Sequence, residues 1–175
     1  ENLKELGIRN ILIKHVLDLF PNNNILFSKE SEPLGTGGGI QNALELLGDE
    51  PFMLINADVY HDIDLAAINK IVKVAHLVGV KNPEHNPQGD FSLDGDIVSV
   101  RSEANDYTWS GISVINPSIF NKLIPQEMPF DIWNKVLKQF INNKEVSAEI
   151  SDGIWIDTGT IDRLELANKT HKDEN

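Results

Sequence analysis

Apolar positions along the chain fall into runs of strand length and stripes of helical spacing. Residues 51–57 (PFMLINA) form a continuous apolar run that ends at Asp58, as expected for a strand buried on both faces. Ile40 begins a stripe with spacing i, i+3, i+4, i+7, which predicts an amphipathic helix that Gly48 ends. Similar patterns predict strands at 9–14, 24–29, 75–81 and 110–116, and helices at 64–72, 131–141 and 161–169. This order of elements favours the α/β class.

The composition of the chain changes after Asn82. Residues 82–90 (NPEHNPQGD) are rich in turn formers, and two short apolar runs flank Asp94-Gly95 as in a β-hairpin. No linker or repeat divides the 175 residues. We therefore expect one α/β domain over residues 1–175, with a mostly parallel sheet flanked by helices and an antiparallel insertion between residues 82 and 116.

Composition restricts the class of protein and its partners. With 41% hydrophobic and 24% charged residues, the chain is typical of a globular domain. A formal net charge of −12 argues against nucleic acid or an anionic membrane as partner. The chain has no cysteine, and no apolar run approaches the roughly 20 residues of a membrane span. We expect a soluble, cytoplasmic protein.

A glycine-rich loop, residues 33–39 (PLGTGGG), precedes the predicted helix of the Ile40 stripe. Glycines let the backbone approach a ligand closely, and the first turn of a helix offers amide donors and a partial positive charge. A flexible turn is the alternative, but the position of the loop favours ligand binding. No Gly-Lys-Ser/Thr follows, which excludes a P-loop, and Ile40 stands where the dinucleotide fingerprint needs its third glycine.

Two aspartates are candidates for binding a metal ion. Asp58 follows the predicted central strand, at the edge where open α/β sheets bind ligands, and its carboxylate suits a hard cation such as magnesium. Asp157 lies in the turn WIDTGT (155–160). A strand-ending turn is the alternative for Asp58, and an Asx turn explains Asp157 equally well. Trp109 precedes Ser110-Gly111 at a strand start, where it could either pack in the core or face a ligand.

Five segments spread over nearly the whole chain resemble the sugar-nucleotide pyrophosphorylases. They are EPLGTGGGIQNAL, PFMLINAD, NPEHNPQGDFSLDG, YTWSGISVINPSIF and WIDTGT. The pattern NPxHNPxGDF is similar to the N-acetylmuramate-1-phosphate uridylyltransferase and mannose-1-phosphate guanylyltransferase-like branch. The resemblance implies a Rossmann-like nucleotidyltransferase fold. It also implies an enzyme that joins a nucleoside triphosphate to a sugar 1-phosphate, giving a nucleotide-sugar and pyrophosphate.

The resemblance also implies a set of site residues. Those at nucleotide-binding positions are Glu30, Gly35, Thr36, Gly37 and Ala57; those at sugar-binding positions are Asn82, Asp90 and Gly111. Asp58 and Asp157 match the catalytic, metal-binding aspartates, which would share Mg²⁺. Because both reactants are anions, the enzyme must align them and neutralise their charge.

Several alternatives remain open. UTP with N-acetylmuramate 1-phosphate is the favoured pair, implying a role in cell-wall recycling, and guanylyl transfer to mannose 1-phosphate is the close alternative. Asp58 lies 23 residues after Gly35, which suits a nicotinamide-dependent oxidoreductase, although Ile40 argues against it. The opening GxGxRxxPxT loop of the family has no match. We therefore expect the domain to be incomplete at its N-terminus, with a non-catalytic ligand-binding remnant as the alternative.

Overall fold

The computed structural model describes residues 13–69, 71–122 and 127–173. Most of the strand predicted at 9–14 lies outside these ranges, and the described residues 13–19 are helical and are labelled α1. The other helices are α2 (Gly35–Leu47), a 3₁₀ helix (Pro117–Lys122), a π-helical turn (Trp133–Leu137) that continues into α3 (Lys138–Asn142), and α4 (Ile161–Asp173). Within the described ranges no helix has the length and apolar content to cross a membrane.

Eight strands form two sheets among the described residues. In chain order they are β1 (Phe52–Ile55), β2 (Val59–His61), β3 (Ala75–Lys81), β4 (Ser92–Asp94), β5 (Ile97–Ser99), β6 (Tyr107–Ile115), β7 (Val146–Ile150) and β8 (Trp155–Asp157). The larger sheet has the order β1-β6-β3-β7-β5-β4, and β2 pairs with β8. In the larger sheet β1, β3, β4 and β7 run in one direction, and β5 and β6 run against them.

The position of β6 differs from the sequence-based prediction. We expected residues 110–116 to belong to an insertion beside the main sheet, but β6 lies between β1 and β3 and is antiparallel to both. Ile115 is opposite both Phe52 and Ala75. A strand buried on both faces is stabilised most in the centre of a sheet, and all six β6 residues from Ser110 to Ile115 are buried. The predicted hairpin at Asp94-Gly95 is present as β4–β5, at the sheet edge.

Two predicted elements do not form. Residues 24–30 have no regular secondary structure, and Leu26 is 60% exposed, because no described strand pairs with this segment. The helix predicted at 64–72 is replaced by turns over the described part of that range. Asp64 accepts a hydrogen bond from the Ala66 N–H (2.9 Å), as in a cap, but the chain does not continue into a helix.

The core lies on both faces of the central strands. Leu77 of β3 packs on one face with Val136 and Ile141, from the predicted helix at 131–141. Val78 packs on the other face with Ile112. Because β1 and β3 are fixed by this core, the loops after their carboxyl ends start from defined positions, and the candidate site is built on those loops.

Candidate active site

The amino end of α2 is covered by the chain around Phe130. The Phe130 carbonyl accepts hydrogen bonds from the Gly37 N–H (3.0 Å) and the Gly38 N–H (3.3 Å), and the Phe130 N–H donates to the Leu34 carbonyl (3.0 Å). We expected these amides to hold a polar ligand. The Gly37 and Gly38 amides are instead satisfied within the chain, so these two donors of the first turn are not open to an anion.

Close packing explains the glycines of this loop. A Cβ atom at Gly35 would lie 2.5 Å from the Phe130 carbonyl oxygen, and one at Gly37 would collide with the Phe130 ring. Gly35 also has φ of +75°, which disfavours other residues. A Cβ at Gly39 would lie 2.7 Å from Oε1 of Glu30. The glycines therefore admit the Phe130 segment and leave room for the Glu30 carboxylate.

A cavity of about 530 Å³ lies beside this loop. Of the predicted nucleotide-binding residues, Glu30, Gly35 and Thr36 line it, whereas Gly37 and Ala57 do not. Its remaining walls are Pro33, Leu34, Gly39, Ile40, Leu54, Asn56, Trp109 and Ile132. Apolar walls with a few polar groups are typical of a pocket for a flat, partly polar molecule such as a nucleobase.

Two polar side chains of this cavity are held in place. The Leu34 N–H donates to Oε2 of Glu30 (3.1 Å), which fixes the carboxylate at the rim. The Thr36 hydroxyl accepts from the Ile132 N–H (3.1 Å), so Thr36 ties α2 to the helical turn that follows. Among the described residues that line this cavity, Glu30 is the one with a charged side chain.

Trp109 forms a wall of the cavity, which the sequence left open. Its ring stacks on Trp133 with centroids 5.6 Å apart, and its indole N–H donates to the Ile112 carbonyl (3.1 Å). These contacts fix the ring, so it faces the cavity in one orientation. A rigid aromatic surface of this kind suits a planar ligand.

The pairing of β2 with β8 brings the two predicted metal ligands to one end of the smaller sheet. Ala57 and Asp58 form the turn between β1 and β2. The Asp58 carbonyl accepts hydrogen bonds from the N–H (2.8 Å) and the hydroxyl (3.0 Å) of Thr158. Asp157 lies opposite Val59. The Asp58 carboxylate is exposed and has no hydrogen-bond partner among the described residues.

Asp157 forms the Asx turn that the sequence allowed and has two further polar neighbours. Its Oδ1 accepts from the Gly159 N–H (2.7 Å) and from Nη2 of Arg163 (3.1 Å), and its Oδ2 lies 3.5 Å from Nε2 of His85. Burial acts to raise the pKa of Asp157, but the Gly159 amide, Arg163 and His85 outweigh it and lower the pKa below its usual value. Asp157 therefore remains ionised.

The predicted sugar-side residues Asn82 and Asp90 are both partly buried and hydrogen-bonded. Asn82 follows β3 and lines a cavity of about 260 Å³ with Lys81 and Trp155. Asp90 accepts hydrogen bonds from the Trp109 N–H (2.8 Å) and from the side-chain amide of Asn86 (3.1 Å), so it fixes the loop after β3. Asn82 is held in a similar way, because its side-chain amide donates to the Asn105 carbonyl (2.8 Å) and its Oδ1 accepts from the Thr108 hydroxyl (3.0 Å). Of the two residues, Asn82 lines the cavity.

Gly111 joins β6 to the turn that carries Asp58. Its carbonyl accepts a hydrogen bond from the Asn56 N–H (2.9 Å), and its φ is +78°. A Cβ at this position would lie 2.6 Å from Nδ2 of Asn56. Glycine is therefore required here for the approach of the β1–β2 turn, whatever contact it makes with a sugar.

The described residues contain no group of three or more His, Cys, Asp or Glu side chains able to hold a metal ion. Asp58 and Asp157 are thus a pair without a third protein ligand in those ranges. Magnesium is commonly bound by one or two carboxylates together with substrate phosphates and water, so two carboxylates fit such an ion.

Comparison with known proteins identifies the family. No protein-family model matches the chain. The N-acetylmuramate alpha-1-phosphate uridylyltransferase of Neisseria meningitidis is 36% identical over 194 residues, which cover 94% of this chain and 79% of that protein. The chain belongs to the sugar-1-phosphate nucleotidyltransferases. The predicted resemblance and the predicted class of enzyme are therefore confirmed.

Two further comparisons bear on the breadth of this nucleotidyltransferase family. The mannose-1-phosphate guanyltransferase of Schizosaccharomyces pombe is 29% identical over 79% of the chain, which spans 41% of that protein. The inositol-1-phosphate CTP transferase from T. maritima has a TM-score of 0.69 at 15% identity, over 90% of this chain and 71% of its own. The latter similarity confirms the predicted fold class.

His85 and Arg163 are polar neighbours of Asp157 that the sequence analysis did not select. His85 stacks on Trp155, with centroids 6.5 Å apart, and both His85 and Arg163 approach Asp157. His85 lies inside the segment NPEHNPQGD, which had already been noted for its resemblance to the family. No comparable signal marked Arg163, because its role depends on where α4 packs.

Proposed function

We propose that the protein transfers a uridylyl group from UTP to N-acetylmuramate 1-phosphate, releasing pyrophosphate. The observation that supports the proposal is the β2–β8 pairing, in which Asp157 lies opposite Val59, the residue after Asp58. Asn56, two residues before Asp58, lines the cavity of nucleobase size. The choice of base and sugar is supported by the name of the Neisseria meningitidis relative. Because nucleoside triphosphates and sugar phosphates are cytoplasmic metabolites, we also propose the cytoplasm as its compartment and cell-wall recycling as its role.

In the proposed site the base lies in the cavity beside Glu30 and Trp109. The sugar lies near Asn82, at the end of β3. Asp58 and Asp157 would hold Mg²⁺, which when bound neutralises phosphate charge. The chain supplies alignment: an oxygen of the sugar phosphate attacks the α-phosphorus of the nucleotide, and the bond to pyrophosphate breaks. No covalent enzyme intermediate is needed.

Guanylyl transfer to mannose 1-phosphate is the second candidate, and the charge of Glu30 favours it. A carboxylate only accepts hydrogen bonds. Guanine presents two adjacent donors, N1–H and the 2-amino group, whereas uracil presents one N–H between two carbonyl oxygens. A carboxylate at the rim of the cavity therefore matches the edge of guanine better than that of uracil.

Pyrophosphate release from UTP or GTP, with N-acetylmuramate 1-phosphate or mannose 1-phosphate as acceptor, tests the proposal on the intact protein. We expect activity that depends on a divalent cation and that falls by at least about 100-fold in Asp58→Ala and in Asp157→Asn. Full activity in Asp58→Ala would contradict the two-aspartate site. Glu30→Gln tests base choice: an amide can also donate to a uracil carbonyl, so this variant should shift the preference from GTP towards UTP.

A further inference from the structure

Arg163 of α4 contacts Asp157 at two places. Its Nε donates to the Asp157 carbonyl oxygen (2.9 Å), and its Nη2 donates to Oδ1 of the carboxylate (3.1 Å). The side chains of Arg163 and Asp157 are each 28% exposed, so solvent screens this pair less than it screens a surface ion pair. The Arg163 guanidinium therefore donates hydrogen bonds to both the backbone and the side chain of Asp157.

These contacts leave the two carboxylate oxygens of Asp157 unequal. Oδ1 already accepts from the Gly159 N–H and from Arg163. Oδ2 has His85 as its polar neighbour, at 3.5 Å, which is longer than a hydrogen bond to a charged group. Oδ2 is therefore the oxygen that can bind a cation. A rotation of the carboxylate would exchange the two oxygens, and the fixed Arg163 fork opposes that rotation.

We propose that Arg163 is a positioning residue that holds Asp157 with Oδ2 turned towards the divalent cation. The inference rests on the proposed function, because it assumes that Asp157 binds the metal. It assigns Arg163 no contact with the nucleotide or the sugar phosphate. Partners that orient metal ligands in this way usually change metal affinity by 10- to 100-fold when they are removed.

The shape of the guanidinium distinguishes this role from a simple effect of charge. Arginine presents its donors in a rigid plane, which lets Nε and Nη2 reach two acceptors of one residue. A lysine at the same position keeps the positive charge but presents a single ammonium group. Arg163→Lys should therefore lose most of the effect, as Arg163→Met does, if orientation is what matters.

Binding of Mn²⁺ alone, followed by the loss of the free-ion EPR signal, tests the inference without turnover. We expect the Mn²⁺ dissociation constant to rise by about 10-fold or more in Arg163→Met and in Arg163→Lys. Asp157→Asn removes the carboxylate itself and therefore gives the Mn²⁺ dissociation constant expected when this metal ligand is lost. Arg101→Met is the matched control, since Arg101 forms a similar pair with Asp106 (3.0 Å) away from Asp157, and it should bind Mn²⁺ like the wild type.

The outcomes separate the two proposals. If Asp157→Asn weakens Mn²⁺ binding but both Arg163 variants bind within twofold of wild type, the positioning role is wrong and the metal site stands. If Asp157→Asn binds Mn²⁺ normally, the metal site itself is wrong. Retention of the Mn²⁺ affinity by Arg163→Lys but not by Arg163→Met would show that charge, not orientation, is what Arg163 provides. Thermal unfolding of each variant identifies any that fail to fold. If Arg163→Met fails to fold, the Mn²⁺ affinity of Arg163→Lys tests the proposal.

Discussion

A substitution at Gly39 tests the proposed role of Glu30 in nucleotide binding without lowering the stability of the fold. It lies inside α2, and a Cβ at this position would be 2.7 Å from Oε1 of Glu30, whereas ordinary contacts begin near 3.4 Å. In Gly39→Ala the carboxylate must therefore move by roughly 0.7 Å, a small shift for the end of a flexible side chain. Alanine within a helix is favoured over glycine by about 0.5–1 kcal/mol, which offsets the cost of that shift.

We expect Gly39→Ala to unfold at the same denaturant concentration as the wild type, or slightly above it. The hydrogen bond between the Glu30 carboxylate and the base should be lost. A hydrogen bond to a charged group contributes about 1.5–3 kcal/mol, which corresponds to a 10- to 100-fold weaker nucleotide affinity. Isothermal titration with UTP and with GTP measures the affinity, and urea unfolding measures the stability.

Gly48→Ala is the matched control at the other end of the same helix. Gly48 has φ of +75° and ψ of −160°, a conformation that other residues rarely adopt, and no atom lies within 4 Å of an added Cβ. We expect this variant to lose about 1–3 kcal/mol of unfolding free energy and to bind nucleotide normally. Wild-type nucleotide affinity in Gly39→Ala would refute the assignment of Glu30 to the base.

Three further predictions test the structure around the site. Phe130→Ala should lower the free energy of unfolding by about 3–5 kcal/mol in a urea titration, because the buried ring packs against Gly37. Trp155→Phe removes the indole donor to the Ser110 carbonyl (2.9 Å) and should cost about 1–3 kcal/mol in the same assay. The lowered pKa of Asp157 predicts stability that is present above pH 4 and lost as the pH falls through the folded-state pKa. In metal-free protein, Asp157→Asn should therefore be less stable than wild type near neutral pH, and the gap should narrow in acid.

Local sequence patterns predicted some elements well. The apolar run at 51–57 formed β1, and the stripe from Ile40 formed α2. Burial of both faces of a strand leaves a continuous apolar run, and burial of one face of a helix leaves an apolar stripe. The same signature identified 110–116 as a strand but did not reveal its neighbours, since pairing depends on contacts between distant segments. Residues 24–29 have strand-like composition but no described pairing partner.

The site was predictable where one short segment carried the signal. Asp58 follows the apolar run at 51–57 and Asp157 lies in the turn WIDTGT, and the resemblance to a family assigns both to a metal, which stays a prediction. The occupation of the Gly37 and Gly38 amides could not be predicted, because the Phe130 carbonyl that accepts from them lies far along the chain. Arg163 was missed because a surface position on a polar helix gives no sign that it contacts Asp157.

Strand β6 limits how the substrates of this enzyme can change. Three successive residues serve different parts of the site: Trp109 forms a wall of the base cavity, the Ser110 carbonyl holds Trp155, and the Gly111 carbonyl holds the turn before Asp58. In the proposed site, a change in this tripeptide would disturb the recognition of both reactants at once. New specificity is therefore more accessible through the separate loops that bear Glu30 and Asn82, which engineering or evolution can vary one at a time.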